Sequence, residues 1–451
     1  MEEILNLAKK FIPKGTFLAL QPAYHFVLAW LASVWYGRPS EKMIVIGVTG
    51  TTGKTTTIFL IENILKTAGI KAGSVSTAIF SDGEKTLMND QKMTMPGRFF
   101  TQKLLKQMLK NRCAVAIVET TSQGIEQFRH RFINYDILVF TGLYPEHIEA
   151  HGGFENYKKA KGKLFAHLKA CRKKKTSGLF ALSSEMLRTS ENVLKTIIVN
   201  ADDEHARHFL SFWADRKVAF GIKNNSADIK AQNIIFNASG LYFNADGFEF
   251  RTGLLGEFNV INSLAAISAA KSLNIPDEKI KAGLEKIIGV PGRLEKISNK
   301  KGITIIVDYA FEPNAMSKLY ATVKSIPHER IIHVLGSCGG GRDKSRRPKL
   351  GKLAGKKADL VIVTNEDPYD EDPMEIIDEV AAGAEDKREN INIWKILDRR
   401  EAIKKALSLA QKNDLVLVTG KGNEQVICVA NGQKIFWDDR KIIREILQEI
   451  R

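Results

Sequence analysis

Apolar and polar positions along most of this chain follow the rhythm of strands alternating with helices. Between residue 43 and about 290, the apolar runs MIVIGV, AVAIVET at 114 to 120, ILVFTGL at 137 to 143 and TIIVNA at 196 to 201 are separated by helical segments. Continuous β-branched runs of this kind suit strands buried on both faces, so the stretch predicts a mainly parallel sheet covered by helices. From about 217 to 256 the runs shorten to KVAFGI, DIKAQNIIF, GLYFNA and FEFRT, punctuated by Asn, Gly and Asp, which predicts a small antiparallel subdomain. An alanine-rich helix is expected from about Asn259 to Leu273. GVPGR at 289 to 293 reads as a boundary, and a second alternating series follows it: ITIIVDY, IIHVLGS, LVIVTNE, INIWKI and LVLVTGK. The expected fold class is therefore α/β. A central P-loop domain with a parallel sheet and antiparallel subdomain, residues 42–291, precedes a Rossmann-like C-terminal domain, residues 292–451. A short apolar helical segment, residues 1–41, leads in.

That leading segment breaks the rhythm. FLALQPAYHFVLAWLASVWYG runs from Phe17 to Gly37, with Pro22 suited to a first helical turn and Gly37 to a helix end. The roughly 15 residues between them span about 22 Å, too short for a hydrocarbon core of about 30 Å. No small-residue cleavage site precedes the strand at 43, which argues against a signal peptide. Two readings stay open: a helix docked on its own protein, or a peripheral membrane contact through residues 17–37, presenting Phe26, Trp30, Val34 and Trp35. His25 is read as a polar tip at the helix edge.

Charge narrows the class of ligand. The net charge of +16 is concentrated in CRKKK at 171 to 175 and GRDKSRRPKLGKLAGKK at 341 to 357. Such runs suit polyanions such as ATP, and the first run is read as a solvated face. No nucleic-acid motif accompanies them. The four cysteines, Cys113, Cys171, Cys338 and Cys428, form no CxxC pair, which points to a reducing cytoplasm without structural zinc or disulfides.

The chemistry concentrates where strands end. MIVIGVTGTTGKTTT at 43 to 57 places a phosphate-binding loop between a β-branched strand and the helix-forming IFLIENILK. Gly47, Gly50 and Gly53 are read as giving the tight turn, Lys54 as supplying a mobile positive charge, and Thr55 as offering a hydroxyl to Mg²⁺. Val48 stands where GxxxxGK[ST] has its first glycine, so the spacing is GxxGxxGKT. Glu119 closes AVAIVE and His147 closes ILVFTGLYPEH, both able to reach a cation near Thr55. Lys161, in KKAKGKLF, reads alone as a solvated charge. In the second series Asp308 ends ITIIVD. Arg342, Lys344 and Arg347 follow IIHVLG in a glycine-rich loop and could neutralise phosphate or carboxylate. VLVTGKGNE puts another glycine-rich turn, a lysine and Glu424 after a strand.

From about residue 43 to 451 the chain resembles the Mur ligases, and is most similar to the MurE type that adds the third residue of the peptide stem. The resemblance rests on GVTGTTGKTTT, ETTSQGIEQFRHR, FTGLYPEHIEAHGGFENYKKAKGKLF, GEFNVINSLAA, GRLE, DYAFEPNAM, GSCGGGRDKSRRP, TNEDPYDEDP and GKGNE followed by FWDDR, in that order. It implies an ATP- and Mg²⁺-dependent enzyme that converts an acceptor carboxylate to an acyl phosphate and lets an amino acid's amine displace the phosphate. Gly50, Thr51, Thr52, Gly53, Lys54, Thr55 and Thr56 would bind ATP, with Asn262, Arg293 and Asp308 contacting it from the two sides of the cleft. Thr55, Glu119, His147 and Lys161 as a carbamate would surround the metal, and Lys54 would neutralise developing charge. Thr94, Ser122, Gln127 and Arg129 would hold a muramyl-peptide acceptor. Arg342, Glu366, Asp367, Gly420 and Glu424 would receive the amino acid. A monomer with small-molecule substrates and no nucleic-acid partner is expected.

The chain departs from the family pattern in three places. Only about 42 residues precede the P-loop strand, where the family carries a uridine-nucleotide-binding domain, so a lipid-linked or differently gripped acceptor becomes a hypothesis. The specificity motif, commonly DNPR for diaminopimelate, reads EDPY, with Tyr369 replacing the arginine that pairs with a distal carboxylate. Lysine or another diamino acid is then the expected substrate, with Glu366 and Asp367 as partners for its cation. Phe311 and Asn423 stand where histidines are usual, and Gln123 replaces another. Competing readings are a folylpolyglutamate- or poly-γ-glutamate-type ligase, a ligase amidating a lipid-linked precursor, and a P-loop ATPase or regulatory protein without ligase activity.

Overall fold

The computed structural model describes residues 14–89, 93–145, 151–179, 192–237 and 239–450. α1 (Lys14–Trp35) leads into β1 (Ile44–Thr49), α2 (Lys54–Thr67), β2 (Ala72–Val75), β3 (Ile79–Ser81) and β4 (Thr86–Met88). Next come α3 (Arg98–Lys110), β5 (Val115–Glu119), α4 (Ser122–Glu126), β6 (Ile137–Phe140), α5 (Phe154–Leu168), β7 (Thr196–Asn200) and α6 (Ala206–Leu210). β8 (Arg216–Gly221), β9 (Ile229–Asn237), β10 (Gly240–Ala245) and β11 (Phe248–Thr252) precede α7 (Phe258–Ser272) and α8 (Asp277–Glu285).

These strands form one 11-stranded sheet in the order β11-β10-β9-β8-β7-β6-β1-β5-β2-β3-β4. β1 is buried along its whole length and pairs in parallel with β5 on one side and β6 on the other, with Val48 opposite Glu119 and Thr49 opposite Phe140. That register brings the P-loop, Glu119 and the loop after β6 to one edge. Of the runs at 217 to 256 expected to be antiparallel, β9, β10 and β11 are so, whereas KVAFGI forms β8, which pairs in parallel with β7 and, through Phe220 opposite Ile229, with β9. They extend the main sheet. α2 and α7 pack together against one face, in a core that includes Ile58, Ile61, Leu264 and Ile267.

A second, 6-stranded sheet follows. Its elements are β12 (Glu295–Ile297), β13 (Thr304–Asp308), α9 (Pro313–Val323), β14 (Ile331–Leu335), α10 (Arg346–Lys357), β15 (Leu360–Thr364), α11 (Pro373–Ala382), β16 (Ile393–Ile396), α12 (Arg399–Leu409) and β17 (Leu415–Thr419). The order is β12-β13-β17-β14-β15-β16, so β17 separates β13 from β14 and opens a crevice at the strands' carboxyl ends. A ribbon, β18 (Val426–Cys428) with β19 (Lys434–Phe436), and α13 (Asp439–Glu449) complete the chain.

Three local expectations change. Pro22 lies inside α1, whose described part already runs from Lys14; it is exposed, where the missing N–H and the ring are tolerated at the cost of one backbone hydrogen bond. The resulting 22 residues still form no helix long and apolar enough to cross a membrane. The basic run at 171 to 175 is not wholly a solvated face: Lys174 is buried and shares Asp136 with buried Lys195, while Arg172 and Lys173 stay exposed. A buried carboxylate needs such partners. Gly47 is not part of the turn but of β1, where a Cβ would sit 2.8 Å from both Tyr135 and Leu138.

Candidate active site

The carboxyl edges of both sheets face one cleft of about 630 Å³. On the first sheet the chain leaves β1 through a loop whose glycines are forced by space and conformation. Gly53 has φ 81° and a Cβ there would lie 2.2 Å from Asn262 Oδ1, while at Gly50, φ 154°, it would lie 2.0 Å from Thr141 Oγ1. Thr51 N–H donates to Gly142 O at 2.8 Å, tying the loop to the end of β6. Lys54 opens α2 and folds its ammonium back onto the carbonyls of Gly50 (3.2 Å) and Thr51 (2.9 Å). Thr51, Thr52, Thr55 and Thr56 line the same wall.

Glu119 is almost fully buried at the end of β5 and gathers donors. It accepts from Thr55 Oγ1 at 3.0 Å, from Thr77 N–H at 2.7 Å and from Thr77 Oγ1 at 2.9 Å. Thr77 Oγ1 also reaches Thr94 Oγ1 at 2.9 Å, so a chain of hydroxyls links the P-loop to the candidate acceptor wall. Thr77 was missed by sequence reasoning, since its segment, STA, carries no motif.

Lys161 is not a solvated charge. It is 1% exposed on α5 and donates to Gly50 O at 2.9 Å, its ammonium 4.6 Å from the centre of the Tyr157 ring. The expectation failed because helical periodicity shows which face a residue occupies but not that α5 lies over the P-loop. His147 lies outside the described residues. His151, four positions on, meets Ser122 Oγ at 3.0 Å through Nε2.

Gln127 and Arg129 stand together at one end of the cleft. Arg129 donates to Gln127 Oε1 at 2.6 Å and to Met95 O, and Arg98 donates to Gln127 O. Asn262, on α7, lies against the P-loop at Gly53 and donates to Asn259 Oδ1, one turn earlier on the same helix, at 2.6 Å.

The second sheet supplies the opposite wall. Asp308 ends β13 and accepts from Leu294 N–H (2.7 Å) and Ala310 N–H (2.8 Å); burial raises its carboxyl above the ordinary range, opposed by the Arg293 guanidinium. Arg293 lies over the Tyr309 ring, 4.2 Å from its centre. The two walls meet where Tyr144, after β6, donates to Glu312 Oε1 at 3.5 Å and Lys318 sits 5.0 Å from the centre of the Tyr144 ring.

Glu366 and Asp367 diverge despite being adjacent. Asp367 is committed to its own protein, accepting from Lys421 Nζ at 3.0 Å on both oxygens and from Cys428 N–H at 2.7 Å. Lys421 also holds Glu424 at 2.7 Å, and Tyr309 OH donates to Glu424 at 3.2 Å. Asp367 is thereby ruled out as a free partner for a substrate cation, because its charge is already paired. Glu366 is 2% exposed, accepts from Cys338 Sγ at 2.9 Å and keeps Oε2 without a hydrogen-bond partner among the described residues. Burial raises its carboxyl, and neighbouring Asp367 adds to that. Gly420, φ 99°, is required beside it, since a Cβ would fall 2.2 Å from Glu366 Oε2. Arg342 and Tyr369 line the same end. Tyr369 adopts φ 52° and lays its ring over Gly340, where a Cβ would meet it at 2.6 Å. Arg347 is spent on Glu371 (2.9 Å) and Glu379 (2.8 Å), so it is structural and not a phosphate ligand.

Two family models match the chain: the Mur ligase middle domain over residues 48–270, and the Mur ligase glutamate ligase domain over 292–422. The UDP-N-acetylmuramyl-tripeptide synthetase of Roseiflexus sp. (strain RS-1) is 36% identical over 445 residues, covering 95% of this chain and 83% of that protein. The UDP-N-acetylmuramoyl-L-alanyl-D-glutamate–2,6-diaminopimelate ligase of Geobacillus kaustophilus (strain HTA426) is 34% identical over 429 residues, covering 94% and 82%. A solved 2,6-diaminopimelate ligase superposes with TM-score 0.61 at 26% identity, covering 96% of this chain and 83% of its own. Mycobacterium tuberculosis folylpolyglutamate synthase with ADP shares the fold, with TM-score 0.65 at 16% identity, covering 88% and 91%.

Proposed function

The chain belongs to the Mur ligases, ATP-dependent amide-forming enzymes that add amino acids in peptidoglycan precursor synthesis, and on that footing we propose that it joins a diamino acid, lysine foremost, to a muramyl-peptide carboxylate. The observation that carries this reading is Glu366. Glu366 lines the cleft and its buried Oε2 has no hydrogen-bond partner among the described residues, while Tyr369 offers no guanidinium to a distal carboxylate. A side-chain ammonium would satisfy that oxygen, and the missing guanidinium at 369 disfavours diaminopimelate, whose distal end carries a carboxylate beside its ammonium.

In this reading residues 42–291 and 292–451 act as two walls closing on ATP. Lys54 would leave the loop carbonyls for the β- and γ-phosphates, and the loop N–H groups at the start of α2 would hold the anionic oxygens. The acceptor's carboxylate, positioned by Thr94, Ser122, Gln127 and Arg129, would attack the γ-phosphate and displace ADP. The α-amine, received at Gly420 and Glu424 while Glu366 holds the side-chain cation, would then displace phosphate from the acyl carbon. Arg293 and Asp308 would bind ATP from the opposite wall, and closure would keep water from the acyl phosphate.

The Thr55 hydroxyl and the Glu119 carboxylate, 3.0 Å apart at the end of the P-loop, form an oxygen set that fits a hard divalent cation. When bound, Mg²⁺ would supply charge neutralisation at the phosphates. Lys161, whose amine points at Gly50 O, would become an anionic neighbour of that site as a carbamate. The enzyme would work as a monomer.

The test is a panel of amino acids with UDP- and lipid-linked muramyl dipeptides, read as product mass. Lysine or a related diamino acid should be joined and diaminopimelate should not. Preferred use of diaminopimelate would overturn the assignment.

A further inference from the structure

α1 is amphipathic in the opposite sense from a helix that serves only to pack on its own protein. The residues turned inward recur at helical spacing and are small or polar: Gln21 and His25 are half-buried, and Ala29, Ala32 and Ser33 are buried. Apart from Leu28, which is half-buried, and Phe26, which packs on Phe128 and Phe132, most of the large apolar side chains described on α1 point outward. Leu20, Val27, Trp30, Leu31 and Val34 are between 42% and 57% exposed, and Trp35 is 79% exposed. Each such side chain left in water forfeits most of the free energy its burial would give.

The face continues beyond α1. Tyr36 meets Phe99, in the first turn of α3, edge to face with centroids 6.5 Å apart. Phe99 and Phe100 are 41% and 36% exposed in turn. Phe100 lies 5.0 Å from Phe80, whose strand partner Leu87 on β4 is 63% exposed.

Charge decides what covers this face. Neither the segment 14–40 nor α3 contains Asp or Glu, while Lys14, Arg38, Arg98, Lys103, Lys106 and Lys110 fall within them. Lys106 Nζ reaches the junction of the two helices, 3.9 Å from where a Cβ on Gly37 would sit. A second copy of this chain on the same face would set these like charges against one another. An anionic bilayer complements both features, taking aromatic rings at headgroup depth and lysines at its phosphates.

We propose that α1 and the first turn of α3 form a peripheral docking face for an anionic lipid bilayer, with α1 lying in the plane of the interface. Docking there brings one end of the cleft to the membrane. Phe26 of α1 packs on Phe128 and Phe132, with centroids 6.3 and 5.1 Å apart, in the loop that also carries Gln127 and Arg129. The docking face stands independently of the reaction assigned to the cleft.

Flotation of the full chain with vesicles tests it. The protein should float with phosphatidylcholine–phosphatidylglycerol vesicles, not with phosphatidylcholine alone, and salt should release it. Trp30→Asp combined with Trp35→Asp should abolish flotation, and Lys103→Gln and Lys106→Gln should each weaken it about fivefold. If the tryptophan variant melts early, the lysine variants carry the test. Absence of binding to anionic vesicles overturns the proposal, as does binding unchanged by the lysine variants. Light scattering that shows a dimer lost on tryptophan substitution would assign the face to a second copy instead.

Discussion

Replacing Lys421 with Met tests the charge cluster that organises the end of the cleft lined by Glu366 and Glu424. The Lys421 side chain is 0% exposed and its ammonium bridges Asp367, 3.0 Å from both oxygens, and Glu424 at 2.7 Å. Met preserves the stem and removes the charge, leaving the Asp367 carboxylate buried with the Cys428 N–H at 2.7 Å. Removing one partner of a buried pair costs about 3–5 kcal/mol. For a cooperative unit of about 150–250 residues, each kcal/mol shifts Tm by about 2–4 °C, so the melting of the second wall should fall by about 6–20 °C. Thermal and urea unfolding measure it directly. Asp367→Asn on the Lys421→Met background should cost less than the two single changes summed, with a coupling of about 1–3 kcal/mol. A loss below about 1 kcal/mol, or strict additivity, would refute a buried, mutually dependent pair.

Other substitutions probe the remaining parts of the account. Gly53→Ala should reduce ATP-dependent turnover at least about tenfold, because φ 81° and a Cβ 2.2 Å from Asn262 Oδ1 together require the loop to move by more than a side chain can absorb; wild-type KM for ATP and kcat in this variant would contradict it. Glu366→Gln should raise KM for a diamino acid about tenfold or more. It should also stabilise the protein above the ordinary glutamate range, since burial raises the native carboxyl's pKa and ionising it costs stability as pH rises; in acid, where Glu366 is protonated, the gain should vanish. His333 is buried against Tyr320 OH (2.6 Å) and Thr419 Oγ1 (2.9 Å), and burial depresses it from 6.5 to about 3. The unfolded chain therefore takes up that proton first, and stability should fall by about 1.4 kcal/mol per pH unit between about 6.5 and 3. His333→Gln should flatten that slope, measured by urea unfolding across the range.

The strands that carry the site were legible because each is a buried, unbroken apolar run. VAIVE, ILVF, TIIVD and LVLVT need no tertiary context to be read as strands, and their carboxyl ends locate Glu119, Asp308 and Gly420. Lys161 was readable only through a family pattern, because nothing local distinguishes a lysine folded under a neighbouring loop from one in water. Asp367 illustrates the converse limit. Its carboxylate and that of Glu366 are equivalent in sequence, and the Lys421 ammonium that consumes one of them comes from a turn more than fifty positions away. Thr77 escaped notice because a hydroxyl in a plain loop acquires meaning only from the carboxylate it touches. The start of α1 was misplaced for a different reason: the rule that puts proline in a first turn gives way where the ring faces open space.

The central claim is that a carboxylate is activated by phosphoryl transfer in this cleft before the amine arrives. Acceptor labelled with ¹⁸O in its free carboxylate, turned over with ATP and lysine, tests it in a single mass spectrum of released phosphate. The account predicts phosphate bearing one acceptor-derived oxygen, in step with amide formed, because the bond broken in the second half-reaction is the acyl carbon–oxygen bond. Unlabelled phosphate, or phosphate released at the same rate without acceptor, would contradict it.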